Sequence, residues 1–149
     1  MFNKNFDLAL ITFIYSINII LYFITFSWII ILEKYKCDCS KDWKREFIKY
    51  FILVLILYIL ISIISNFIST PLNSILEYIK YVVYIGELFF IVITFIYIQE
   101  LIKNKCECSN MMQRDITLVY TIVDGIIIIL SLILAFCITV YKALYSSTS

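Results

Sequence analysis

The sequence predicts an all-α protein, a four-helix transmembrane bundle made of two tandem helical hairpins in the same orientation. Three observations predict this: a composition unsuited to water, four long apolar runs, and an internal repeat at an offset of 69 residues. Hydrophobic residues make up 63% of the chain and charged residues 15%, with a mean hydropathy of +0.98. A soluble domain carries roughly 45–50% apolar and ~25% charged residues. Two Gly and one Pro leave little material for turns, which favours long uninterrupted elements. Only helices and closed barrels satisfy their backbone in lipid, and barrel strands need alternating segments of about 10 residues. The apolar runs here are continuous and longer, so the spans are helices.

The first run, Leu8 to Leu32, holds no charged residue over 25 positions. At about 1.5 Å per residue it exceeds the ~30 Å hydrocarbon thickness and accommodates tilt. It is too long for the apolar core of a cleaved signal peptide and lacks a small-residue cleavage site, so it is expected to stay attached. The second run extends from about Tyr50 to Ser69, the third from about Ile79 to Ile98, and the fourth from about Ile116 to Val140. Glu87 lies in the third and Asp124 in the fourth. Between the second and third, Thr70-Pro71-Leu72-Asn73-Ser74 gives the strongest turn signal, because proline restricts the residue before it and removes a backbone donor. One membrane domain over residues 1–149 is therefore expected, with hairpin repeats at about 8–69 and 77–141.

The repeat is carried by polar residues as well as apolar ones. Lys34, Lys36, Cys37, Cys39, Ser40 and Arg45 recur as Lys103, Lys105, Cys106, Cys108, Ser109 and Arg114. Tyr15 and Thr25 recur as Tyr84 and Thr94, and Ser62 as Ser131. Hydrophobic bias aligns Ile with Ile, but it does not align two copies of K-C-acid-C-S-x4-R-acid, so duplication is the better account. With two spans per copy, both Cys loops fall on one side of the bilayer, and the termini fall on the other. Nine of the twelve basic residues lie on the Cys side, which by the positive-inside rule is cytoplasmic.

Several functions are excluded at this level. A net charge of +1 supplies no basic footprint for nucleic acid. The absence of His removes the commonest general base and metal ligand. A non-enzyme is expected, without cofactor unless the cysteines hold zinc. Each helix carries one polar stripe, and Asn18, Glu87, Asp124, Ser62 and Ser131 are the intramembrane polar residues of interest. Counting inward from the Cys side places Asp124 near Thr25 and Thr94 in a shallow layer, and Glu87 deeper, level with Asn18, Ser62 and Ser131. Intramembrane acids mark ion or proton paths or act as protonated, hydrogen-bonded glue between helices. No selectivity-filter motif such as TVGYG appears, and no Lys or Arg lies at matching depth, which favours glue.

Cys37-Asp38-Cys39 and Cys106-Glu107-Cys108 gather four thiols in two equivalent loops. Side-by-side packing permits a tetrahedral thiolate zinc site or disulfides across the loops. Free or acylated juxtamembrane thiols are the other readings. Ser40 and Ser109 stand where the following helices begin, as candidate N-caps, and Cys137 is expected to pack within the fourth helix.

The stretch Lys36-Cys37-Asp38-Cys39-Ser40-Lys41-Asp42-Trp43-Lys44-Arg45, followed by an aromatic, Ile-rich helix, resembles small multispanning membrane proteins of giant viruses, the nucleocytoplasmic large DNA viruses. The second copy departs from that pattern, with Asn110, Met111, Met112 and Gln113 in place of Lys41, Asp42, Trp43 and Lys44. The resemblance implies a structural protein of a virion inner membrane that organises the bilayer and contacts neighbouring membrane or capsid proteins, or copies of itself. It also implies a thiol oxidation system that permits disulfides on a cytoplasmic face. The alternative is a small proton or cation channel or transporter using the intramembrane acids.

Overall fold

The computed structural model describes residues 4–67 and 73–146, and every regular element among them is helical. Helix α1 spans Lys4–Lys34, α2 Trp43–Phe67, α3 Asn73–Lys103 and α4 Met112–Ser146, with short 3-10 turns at Asp38–Ser40 and Glu107–Ser109. The 69-residue offset is reproduced in the backbone. It relates both ends of α1 to those of α3, the two 3-10 turns to each other, and the start of α2 to that of α4. The expected turn at 70–72 lies outside the described residues, and Asn73 and Ser74 belong to α3.

All four helices are long and apolar enough to cross a membrane, over Phe13–Lys34, Trp43–Ile64, Tyr78–Lys103 and Met112–Tyr141. The chain is a multi-pass integral membrane protein. Its helices form a ring in which α1 and α3 each pack against both α2 and α4. The two hairpins stand side by side with both Cys loops at one end. Buried apolar residues concentrate toward that end, with Trp28, Ile29, Leu32, Ile48, Ile52, Phe90, Tyr97, Ile98 and Leu101 at its centre. The outer faces carry exposed Ile, Leu, Val and Phe, which in lipid is the favourable partner surface. Association between spans then rests on close packing and a few polar contacts, since lipid tails are as apolar as the helix faces.

Gly86 shows this packing at its closest. A methyl group at that position would lie 2.6 Å from Cζ of Phe51. The missing side chain lets the ring of Phe51 rest on the α3 backbone and stack on Phe90 at 5.6 Å between centroids.

The helices extend past their apolar runs at the Cys end, where α2 begins at Trp43, a full seven residues before Tyr50. Charges stabilise this extra length across helices. The Lys44 ammonium reaches Glu100 of α3 at 2.7 Å, and Lys49 reaches both oxygens of Glu33 of α1 at 2.9 Å. Ser40 and Ser109 do not cap the following helices. Each closes its own 3-10 turn by donating to the carbonyl of Cys37 or Cys106 at 2.7 Å. Asp42 takes the position before α2 instead, and its hydrogen bond with the Lys44 ammonium holds its carboxyl below the usual carboxylate range. The repeat counterpart of Asp42 is Met111, so α4 begins without that carboxylate.

Candidate functional site: a four-cysteine clasp and an acidic interior

The clasp begins with how α1 and α3 end. Lys36 and Lys105 adopt φ of 48° and 49°, the left-handed conformation that glycine usually supplies after a helix. This allows Cys37 N–H to reach the carbonyl of Leu32 and Lys36 N–H that of Glu33, at 3.1 and 3.0 Å. Cys106 and Lys105 repeat the pattern on Leu101 and Ile102. The result is a Schellman motif used twice, with the Cys–Leu apolar contact that accompanies it: Cys37, Leu32, Cys106 and Leu101 are all buried. A left-handed non-glycine residue costs roughly 1–2 kcal/mol, which the satisfied carbonyls and the buried contact offset. Each 3-10 turn then carries the second cysteine of its pair back beside the first.

The four sulfurs meet where the loops face each other. Cys37 is disulfide-bonded to Cys108 and Cys39 to Cys106, with Cα atoms 6.0 and 5.9 Å apart. The pairing is crosswise, and the repeat symmetry carries one bond onto the other. The remaining contacts are also short: Cys37 to Cys39 3.6 Å, Cys106 to Cys108 3.6 Å, Cys37 to Cys106 3.7 Å and Cys39 to Cys108 3.3 Å. Each bond joins a buried sulfur, Cys37 or Cys106, to a more accessible one, Cys108 or Cys39. Cys137 stands apart, unpaired and exposed on the lipid side of α4, and not packed as expected.

The surroundings of the two loops differ. Loop 1 is gripped from its own helix and from across the bundle, as Arg45 Nη1 donates to Ser40 Oγ at 3.2 Å and the Tyr97 hydroxyl to the Ser40 carbonyl at 2.8 Å. Loop 2 is held locally, with Arg114 bonded to Asn110 and Asp115 at 3.0 and 2.9 Å. The repeat counterpart of Tyr97 is Trp28, which lies 6.0 Å from it between ring centroids and whose buried Nε1 finds no acceptor among the described residues. Sequence reasoning missed Tyr97 and Trp28. Their signal was a matched pair of large aromatics with polar tips about two turns inside each loop.

Deeper in the bundle, the Tyr22 hydroxyl donates to Glu87 Oε1 at 2.8 Å. Tyr120 packs edge-on against Tyr22 at 5.9 Å, and Asp124 lies one turn farther along α4 within electrostatic reach of Glu87. The two acids thus share one polar centre rather than separate layers. The depth count set Asp124 too shallow because it took Ile116 as the membrane edge of α4, whereas the neighbouring Thr117 already lies level with Thr25, well inside α1. Glu87 finds Tyr22 where Asn18, Ser62 or Ser131 had been expected. Asn18 and Ser62 are half-buried, and Ser131 is exposed with its hydroxyl on the Ile127 carbonyl at 2.8 Å. Toward the clasp, Thr25 and Thr117 hydroxyls meet at 3.1 Å. Thr94, the counterpart of Thr25, is buried without a hydrogen-bond partner among the described residues, because Ile48 stands where Thr117 stands in the other half.

Comparison of the chain with protein-family models, with curated proteins and with solved structures finds no match.

Proposed function

We propose that the protein is a structural component of a membrane, the inner membrane of a virion as the loop resemblance implies, with the clasped face turned to the cytoplasm during synthesis and later to neighbouring membrane or capsid proteins. The observation that carries this reading is the crosswise pair of disulfides, which fixes two hairpins into one rigid end and sets the charged loops at a defined spacing. The interior behind the clasp is filled by Trp28, Tyr97, Ile29 and Leu32, which suits a scaffold better than a conduit. Disulfides on a cytoplasmic face require dedicated thiol oxidation; the resemblance implies it.

A second reading is favoured by one observation, the convergence of Glu87 and Asp124 with Tyr22 and Tyr120 inside the bundle. Such a centre suits passage of protons or cations. Reconstitution into proteoliposomes separates the two. A scaffold gives no proton or cation flux above empty vesicles, and crosslinking in purified particles captures fixed neighbours through the Cys-loop face. Flux that disappears in both Glu87→Gln and Asp124→Asn would replace the structural reading with the conducting one.

A further inference from the structure

The four sulfurs describe a nearly complete tetrahedron. A tetrathiolate zinc site with Zn–S of about 2.3 Å has sulfur–sulfur edges of about 3.8 Å. Four of the six edges here, those not spanned by a covalent bond, already measure 3.3 to 3.7 Å. The two covalent edges, Cys37–Cys108 and Cys39–Cys106, are opposite edges of that figure and share no atom. Opening both by side-chain rotation leaves four ligands around one point, without moving the helices that carry them. Each loop brings its two cysteines together by the same local turn, a left-handed residue, a cysteine, and a 3-10 turn returning the second cysteine.

We propose that, once reduced, the clasp is a zinc site with Cys37, Cys39, Cys106 and Cys108 as its four ligands, so that the hairpins are held by disulfides in oxidising conditions and by the metal in reducing ones. The chemistry balances with a dithiol reductant. Two dithiols supply four electrons and four protons, the two disulfides become four thiols, and each dithiol leaves as a disulfide. Zinc then displaces the four thiol protons and forms four Zn–S bonds, giving a centre of net charge −2. Lys36, Lys41 and Arg45 line the cleft on one side of that centre, and Lys105 and Arg114 line the cleft on the other. Glu33, Asp38 and Glu107 offset part of this positive charge, and the surplus favours a dianionic site. The four-thiolate donor set and tetrahedral geometry are those that select zinc or iron–sulfur chemistry over hard cations. This inference is independent of the structural role proposed above, since a conductor would be clasped in the same way.

The test uses the full chain in detergent micelles, reduced with a phosphine under anaerobic conditions, with Co2+ as spectroscopic probe and Zn2+ as competitor. The expected result is one Co2+ per chain with thiolate-to-cobalt charge-transfer and tetrahedral visible bands, displaced by one equivalent of Zn2+. The oxidised chain takes up none, and Cys37→Ser/Cys106→Ser loses the tetrahedral spectrum, while Cys137→Ser keeps it. Three results would overturn the proposal. One is a reduced, still-helical chain that binds less than a tenth of an equivalent. Another is binding that survives serine at all four positions. The third is loss of helix on reduction whether or not zinc is present.

Discussion

The interface of α2 with α3 and that of α4 with α1 are the same contact made twice, and the two are built from different chemistry. Where α4 presents Thr117, Tyr120, Thr121 and Asp124, α2 presents Ile48, Phe51, Ile52 and Leu55 at the corresponding positions. The α2 side packs by shape, with Phe51 stacked between Phe47 and Phe90 over Gly86. The α4 side packs through polar side chains, with the Thr25 hydroxyl on that of Thr117 and the Tyr22 ring edge-on against Tyr120. One backbone tolerates both solutions because, in lipid, close packing and interhelical hydrogen bonds are comparable sources of association. Duplication supplied the frame, and divergence concentrated the polar groups on one seam, where they attend the acids.

The comparison is broken most completely by removing what both halves share. With a protease site introduced between residues 70 and 72, the cleaved halves should migrate together without reductant and apart with it. For an uncleaved chain, a closed loop of 71 residues is worth about 4 kcal/mol in the chain-entropy picture, and the second bond adds much less because it closes a small ring. Membrane confinement of the helices lowers that figure. Titration into SDS from dodecylmaltoside, with Cys37→Ser/Cys39→Ser/Cys106→Ser/Cys108→Ser against the oxidised parent in the absence of metal, should show the largest loss of the series.

The shape-packed seam is the next to probe. Gly86→Val should cost roughly 1–3 kcal/mol through forced displacement of the Phe51 ring, and Phe51→Ala should recover part of that loss by making room. A double-mutant cycle in the same titration reads the coupling. Additive effects would mean that Phe51 does not rest on Gly86.

On the polar side, Glu87→Leu should cost on the order of 1 kcal/mol by orphaning the Tyr22 hydroxyl, whereas Glu87→Gln, which keeps an acceptor in place, should cost little. If Gln proves as damaging as Leu, a charged role for Glu87 becomes the better account. The smallest effect is expected from making the seams alike. Thr117→Ile copies Ile48 into α4 and should cost about 0.6 kcal/mol, a typical interhelical hydrogen bond in a membrane. Ile48→Thr, which gives buried Thr94 a partner, should recover a similar amount on the other seam.

Much of the architecture was legible beforehand because it follows from composition and from a repeat in charged and thiol residues that chance does not align. The 69-residue offset anticipates matched helix ends and matched Cys turns. The convergence of Glu87 and Asp124 was not legible. Their relative depth depends on how α4 is set against α1, which the meeting of Thr25 with Thr117 fixes and hydropathy along one helix does not carry. The position before α2 went to Asp42 rather than Ser40 for a related reason: the 3-10 turn that returns Cys39 to Cys37 uses the Ser40 hydroxyl first. The crosswise choice among cysteine pairings likewise depends on the relative placement of two loops that sequence spacing leaves open.

The crosswise bonds also have a mechanical meaning. A single bond between the loops would act as a swivel, about which one hairpin could turn freely against the other. Two bonds joining different points of each loop remove that rotation and leave a stiff pin at one end of the molecule. Helices of 31 residues are about 46 Å long, so a rocking of only about 5° at the pin carries their far ends through about 4 Å. Whatever motion the bundle retains is therefore delivered to the leaflet opposite the cysteines.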